Sequence, residues 1–104
     1  MSHDHVIKIV KTYSENLKSC GLTFDSVYLF GSYAKGNHKE WSDIDVAVIS
    51  PKLREETKKN RLLLWKSRRD IDLRIEPHGF TPEDWSNASD PLAYEVRSTG
   101  IMVA

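Results

Sequence analysis

The chain of 104 residues carries 15 basic and 15 acidic side chains, so its formal net charge is zero and no overall field attracts nucleic acid or a membrane surface. No run of about 18 apolar residues could span a bilayer, and no basic stretch leads into an apolar one as in a secretory signal. The single cysteine, Cys20, excludes an internal disulfide and fits a reducing cytoplasm, and the length predicts one domain over residues 1–104.

The first third of the chain predicts a helix followed by a strand. Apolar residues recur at three- and four-residue steps from Asp4 to Cys20, as on one face of an amphipathic helix. The apolar run Ser26–Phe30 is rich in strand-forming residues and is too short for a helix. Tyr33 to Lys35 can then form one or two helical turns before Gly36 ends them.

The segment Asp43–Ile49 predicts a second strand. Side chains alternate between the two faces of a strand, so Asp43 and Asp45 should share one face. The apolar side chains at the intervening positions should share the other face and join the core. The two carboxylates are therefore expected to lie side by side.

A basic helix is predicted next. Ser50 and Pro51 fit the N-cap and first position of a helix that runs to about Arg68. Between Lys52 and Arg69 there are eight basic residues and two acidic ones. Such a face could contact a partner protein, RNA or nucleotide phosphates, and a solvated helix face is the simpler interpretation.

A third strand is predicted over Ile71–Glu76, where apolar residues alternate with Asp72, Arg74 and Glu76. Pro77 and Gly79 are expected to end it. The remaining predicted elements are a capped turn at Thr81–Trp85, a helix from Asp90 to Thr99, and a terminal strand or docking tail at Ile101–Val103. The histidines show no ligand spacing and are expected at the surface: His3, His5, His38 and His78.

The pair Gly31-Ser32 has the residues of a phosphate-binding turn. It lies between a predicted strand and a short predicted helix, where backbone amides and a hydroxyl can bind an anion. Glycine also lets the backbone approach a phosphate closely. Lys35, further along the short helix, could reach the phosphates or be exposed to solvent. A Gly-Ser pair after a strand is most often only a turn, so this interpretation depends on what lies beside it.

Asp43 and Asp45 are the predicted metal ligands. Two carboxylates on one face can hold Mg²⁺ together with nucleotide phosphates, and isolated carboxylates in an apolar strand would be costly without such a cation. A two-ion site can activate an attacking oxygen and stabilise the leaving one. Asp72 on the third strand is the expected third carboxylate, as a metal ligand and general base. The alternatives at this place are Arg74, Glu76 and Asp70.

Gly31-Ser32, ten further residues, Asp43-Ile44-Asp45 and a later strand carboxylate together resemble the nucleotidyltransferase superfamily related to polymerase β. The flanking sequences GSYAKG and SDIDVAV are most similar to its minimal nucleotidyltransferase (MNT) branch. The similarity extends over residues 6–103. It implies a small α/β (α+β) fold, with a central mixed sheet flanked by helices.

The resemblance also implies an activity, namely Mg²⁺-dependent transfer of NMP from an NTP to a hydroxyl, with release of pyrophosphate, and AMP from ATP is the expected case. Carried over by position, Gly31 and Ser32 would hold the phosphates of the nucleotide. Asp43 and Asp45 would ligate Mg²⁺, and Asp72 would complete the site.

The resemblance implies a partner as well, because minimal members are commonly antitoxins of HEPN-domain toxins and some transfer AMP to a tyrosine of the toxin. At 104 residues the chain has no room for a domain that binds RNA or an antibiotic, so the acceptor is expected on a partner protein. The alternative is an antitoxin that neutralises its toxin by binding alone. A transferase acting on a small molecule is a weaker third reading.

Overall fold

The computed structural model describes residues 2–104. They form five α-helices, one 3-10 turn and four β-strands, in the order α1 (His3–Ser19), β1 (Ser26–Phe30), α2 (Ser32–Lys35), β2 (Ile44–Ile49), the 3-10 turn (Pro51–Arg54), α3 (Thr57–Lys66), β3 (Ile75–Phe80), α4 (Pro82–Ser86), α5 (Pro91–Thr99) and β4 (Ile101–Met102). Within these residues, no helix is both long and apolar enough to cross a membrane.

The four strands form one mixed sheet in the order β3-β2-β1-β4. β1 pairs antiparallel with both β2 and β4, whereas β2 and β3 are parallel and are joined by a crossover through the 3-10 turn and α3. The predicted α/β fold with a mixed central sheet is confirmed. The parallel pair is important for the site, because it brings the first residues of β2 and β3 to the same end of the sheet.

The two faces of the sheet are covered by different helices. On one face α1 packs on β1 and β2, and its buried residues are Val6, Val10, Tyr13, Ser14 and Leu17. The predicted core side of β2 belongs to this face, and its residues are Ile44, Val46 and Val48. A smaller cluster on the other face contains Phe30, Ala47, Ile49, Phe80, Ala93 and Val96. Asp45 alternates with the residues of the first cluster and therefore projects from this second face.

Local sequence signals account for the helix ends. Ser2 caps α1 by accepting a hydrogen bond from the backbone of His5, and Asp90 caps α5 ahead of Pro91. Thr81 begins α4 with a reciprocal capping box. These N-terminal signals were readable from the sequence, and the predicted helices at both ends of the chain are confirmed to within one or two residues.

The basic segment predicted as one helix to Arg68 is broken in the middle. The 3-10 turn ends before Glu56, which has a φ of 41° in the left-handed region. The side-chain amide of Asn60 donates to the carbonyl oxygens of Lys52 and Glu55, both at 2.8 Å. These bonds satisfy carbonyls that a continuous helix would have paired internally, which stabilises the break.

The third strand lies four residues later than the predicted Ile71–Glu76. The carbonyl of Arg68 accepts hydrogen bonds from the backbone of Ile71 and Asp72, both at 3.0 Å, so the predicted start of the strand is a turn. Pro77 was expected to end the strand and instead lies within β3. Proline is tolerated there because β3 is an edge strand and one side of it needs no ladder donor.

Candidate active site

Gly31 joins the end of β1 to α2 and packs directly on Asp45. Its backbone has φ 73° and ψ −151°, a conformation that only glycine adopts readily. A Cβ atom at this position would lie 2.2 Å from Asp45 Oδ2. The absence of a side chain therefore lets the turn contact the Asp45 carboxylate.

Ser32 is the first residue of α2 and is half-buried. The first amides of a helix have no partner within it and are free to bind an anion. Gly36, in the left-handed conformation with φ 79°, ends α2 as predicted. The predicted phosphate-binding residues Gly31 and Ser32 thus lie together at the end of β1, with Asp45 beside them.

Lys35, the third predicted phosphate-binding residue, is paired with α5. Its Nζ is 2.9 Å from Glu95 Oε1, and the two side chains are 41% and 40% exposed. A pair this exposed contributes little to stability, at most about 1 kcal/mol. Lys35 can therefore exchange Glu95 for another anion at small cost.

A second carboxylate lies opposite Asp45 in the sheet. The register pairs Asp45 on β2 with Glu76 on β3. The next residue of β3 on the same face of the sheet is His78. His78 Nε2 is 3.6 Å from Asp45 Oδ1 and 3.8 Å from Glu76 Oε1. One donor atom of each of these three residues lies within 4.8 Å of the other two. We call these residues the Asp45–Glu76–His78 cluster.

Asp43 lies just before β2 and adds a further negative charge to the cluster. Burial raises the pKa of the Glu76 carboxyl above its ordinary value, a hydrogen bond with Asp43 and the charge of Asp45 raise it further, and His78 opposes these effects. Close carboxylates that disfavour each other's charge are stabilised by a cation.

Asp72, the predicted third carboxylate, lies outside this group, on the turn before β3. Arg74 donates to it three times: from Nε and the backbone N to Oδ1, at 3.0 and 2.9 Å, and from Nη2 to Oδ2 at 2.6 Å. Chiefly through the side-chain hydrogen bond, Arg74 lowers the pKa of Asp72 below its ordinary value. Both oxygens of Asp72 are thus engaged by the guanidinium, and Glu76 is the residue opposite Asp45.

The sequence prediction gave Glu76 only as an alternative and placed His78 at the surface. The signal that would have found both is their spacing. Glu76 and His78 are two residues apart and therefore share a strand face, but only when β3 is extended through Pro77.

The donor set of the cluster fits a divalent cation. Asp45 and Glu76 supply carboxylate oxygens, and the imidazole of His78 supplies a nitrogen. The three side chains are half-buried and lie beside the turn at Gly31. Metal ions at such sites orient the phosphates of a nucleotide and stabilise charge at the attacking and leaving oxygens. A glycine turn at the start of a helix, beside a donor set that fits a divalent cation, is an arrangement that nucleotidyl transfer can use.

Comparison with known protein families decides what this arrangement is. The family model of the nucleotidyltransferase domain matches residues 6–88. The chain belongs to the nucleotidyltransferase domain family. It is an enzyme of the nucleotidyltransferase type, as the resemblance implied, and the matched range contains both the glycine turn and the cluster.

Two similar proteins are both named as protein adenylyltransferases. One, MJ0141 of Methanocaldococcus jannaschii, is 31% identical over 75 residues, which cover 69% of this chain and 76% of the relative. The other, MntA of Haemophilus influenzae, is 28% identical over 97 residues, covering 93% of this chain and 77% of the relative.

Solved structures share the fold. A nucleotidyltransferase structure from Sulfolobus solfataricus superposes with a TM-score of 0.66 at 20% identity, covering 96% of this chain and 80% of that one. A crystal structure of a toxin–antitoxin with AMP-PNP gives a TM-score of 0.63 at 23% identity, covering all of this chain and 73% of the other. At these identities the similarity establishes the nucleotidyltransferase fold.

Proposed function

We propose that this nucleotidyltransferase is a metal-dependent protein adenylyltransferase acting in the cytoplasm as an antitoxin. It transfers AMP from ATP to a hydroxyl of a partner HEPN-domain toxin, and the acceptor is a tyrosine. The adenylyltransferase names of both relatives and the toxin–antitoxin among the similar folds support this proposal. Mg²⁺ remains the cation predicted by the sequence for the nucleotide phosphates.

The observation that carries the proposal is the contact between the glycine turn and the first residues of the parallel strand pair. Gly31 lies against Asp45, and Asp45 lies opposite Glu76. A nucleotide whose phosphates occupy the turn at Gly31 and Ser32 therefore has its phosphates next to two carboxylates. We infer that residues 1–104 form one catalytic domain around this contact.

Each residue has a defined task in the proposed transfer. The acceptor hydroxyl oxygen forms a bond to the α-phosphorus of ATP, the bond from that phosphorus to the bridging oxygen breaks, and pyrophosphate leaves. Gly31 and Ser32 position the phosphates, and Lys35 releases Glu95 to contact them. Asp43, Asp45 and Glu76 would hold the cations, which when bound would supply positive charge beside the attacking and leaving oxygens. The proton of the hydroxyl passes to a carboxylate of the cluster.

The proposal is tested by incubating the chain with ATP labelled at the α-phosphate, Mg²⁺ and the toxin encoded beside it. Label should reach the toxin, and mass spectrometry should find AMP on a tyrosine. Replacing Asp45 by Asn should abolish transfer, whereas Asp25→Asn, a control outside the cluster, should not. If no label reaches the toxin under any divalent cation, the catalytic proposal is wrong.

A second function, neutralisation by binding alone, is favoured by exposed apolar side chains. Tyr94 on α5 is 63% exposed and Met102 on the edge strand β4 is 61% exposed. Such groups fit an interface with a partner protein. In that case Asp45→Asn would still neutralise the toxin in a stable complex, while Met102→Lys would not.

A further inference from the structure

The position of His78 is not explained by a cation site made of carboxylates alone. Its side chain is 28% exposed, and its Nε2 atom is buried without a hydrogen-bond partner among residues 2–104. A buried ring nitrogen that makes no hydrogen bond is costly in a folded protein, and the charged groups that face this one are the carboxylates of Asp45 and Glu76. This atom therefore lies where a group absent from the chain itself would be stabilised.

The nitrogen is aimed between two carboxylates and is hydrogen-bonded to neither. Its distances of 3.6 Å to Asp45 and 3.8 Å to Glu76 exceed those of a hydrogen bond, for which about 2.7–3.2 Å is usual. Nitrogen and oxygen ligands lie about 2.0–2.2 Å from a bound transition ion, so two of them can be up to about 4.2 Å apart. Both distances fall in the range that a shared ion would produce.

The ring is held in this position by its surroundings. The edge-to-face contact with Phe30 places the two ring centroids 5.2 Å apart, on the same face of the sheet as Asp45. In the register His78 is opposite the small side chain of Ala47, which leaves the ring room beside β2. The imidazole thus reaches the cluster from a rigid strand and a packed ring, as a metal ligand does.

We propose that His78 is a ligand of the cation held by Asp45 and Glu76, and that its nitrogen makes this site select a first-row transition ion, such as Mn²⁺ or Co²⁺, over Mg²⁺. The proposal concerns the same site as the proposed function and rests on it for the role of that ion. Mg²⁺ is bound almost entirely through oxygen in octahedral geometry, whereas imidazole suits transition ions. The Mg²⁺ that arrives with ATP is a separate ion in a two-ion site.

The direct test is electron paramagnetic resonance of the wild-type chain with Mn²⁺ and no nucleotide. The free-Mn²⁺ signal should fall on adding protein, and the spin-echo modulation of the bound ion should show coupling to a directly bound ¹⁴N. Mn²⁺ that fails to bind, or that binds without nitrogen coupling, would overturn the proposal. Since this measurement uses the wild-type chain, it does not depend on the folding of a variant.

A pair of histidine variants supplies the control. His78→Gln should weaken Mn²⁺ binding by about tenfold or more and remove the nitrogen coupling, while its affinity for Mg²⁺ should change by less than about twofold. His3→Gln, which changes an exposed histidine at the start of α1, should leave both unchanged. Circular dichroism establishes that each variant is folded.

The two proposals fail in different ways. Nitrogen coupling without any AMP transfer would leave the role of His78 intact and remove the proposed function. Transfer with Mg²⁺ alone, in a chain whose bound Mn²⁺ shows no nitrogen coupling, would support the proposed function and remove the role of His78.

Discussion

Gly31 lies so close to Asp45 that a Cβ atom on the glycine would be 2.2 Å from the carboxylate oxygen Oδ2. The register explains the contact, because Phe30, the last residue of β1, is paired with Asp45. The chain turns out of β1 immediately above the carboxylate, at a φ of 73°. The turn and the cluster are therefore one structural unit, and a change in either should be detected in the other.

Gly31→Ala should damage both stability and metal binding. The backbone at this position is accessible almost only to glycine, which predicts a loss of about 1–3 kcal/mol in the free energy of unfolding. The added methyl group must also displace the Asp45 carboxylate, so bound Mn²⁺ and AMP transfer should both decrease. Urea unfolding and Mn²⁺ binding measure the two effects separately.

Gly36→Ala is the matched control for this variant. Gly36 also has a positive φ, 79°, but within residues 2–104 no atom outside its two chain neighbours would lie within 4 Å of an added Cβ. It should lose about 1–2 kcal/mol through the left-handed backbone alone and keep its Mn²⁺ affinity. Equal metal binding by the two alanine variants would contradict the role of the contact between Gly31 and Asp45.

Glu76→Gln and Asp72→Asn together test which residue is the third carboxylate. Glutamine keeps the shape of Glu76 without its charge. Loss of a metal ligand should cost at least as much activity as loss of a residue that only hydrogen-bonds to a ligand, so transfer should fall by about 100-fold. Asp72→Asn should remain within about threefold of wild type, since Arg74 and not the cluster engages this side chain. Rates of label transfer decide the matter, and the reverse order would restore the sequence prediction for Asp72.

The sequence predicted the first two strands around this site from local signals alone. The short apolar run before Gly31 and the alternation after Asp43 are both properties of neighbouring residues, and both were correct in the structure. The caps of α1, α4 and α5 were likewise readable, because capping depends on residues within one helical turn.

The third carboxylate could not be fixed in the same way. Asp72 and Glu76 are four residues apart, so the period-2 alternation assigns both to one face and cannot distinguish them. The choice depends on which residue of β3 pairs with Asp45. That register depends on how β3 packs against β2 and α3, which are distant from it in the sequence. His78 was missed because proline usually ends a strand, whereas β3 continues through Pro77 to Phe80.

Glu95→Gln should strengthen ATP binding slightly, and Lys35→Met should weaken it. The ion pair between Lys35 and Glu95 is exposed, so breaking it costs about 0.2–1 kcal/mol. In Glu95→Gln no ion pair has to break before Lys35 contacts the phosphates. The affinity for ATP should therefore increase by about 1.4- to 5-fold. Isothermal titration calorimetry with a non-hydrolysable ATP analogue measures both variants. Unchanged affinity in Lys35→Met would show that Lys35 does not contact the phosphates.

Asp72 should stabilise the fold in a pH-dependent way. Hydrogen bonds from Arg74 lower the pKa of this carboxyl in the folded chain, whereas in the unfolded chain it returns to about 3.9. A group whose pKa is lower in the folded state stabilises that state fully above the unfolded pKa, and the contribution disappears as the pH falls through the folded value. Since Arg74 is 40% exposed, solvent limits the contribution to about 1 kcal/mol.

Asp72→Asn should therefore be less stable than wild type by about 1 kcal/mol at pH 7, and the difference should shrink as the pH is lowered below about 3.9. Urea unfolding at a series of pH values measures this difference directly. Asp70→Asn removes the same charge from an exposed neighbour and should show a smaller difference at pH 7. If the gap between Asp72→Asn and wild type stayed constant down to the lowest pH at which both are folded, the pairing with Arg74 would not be the source of the stability.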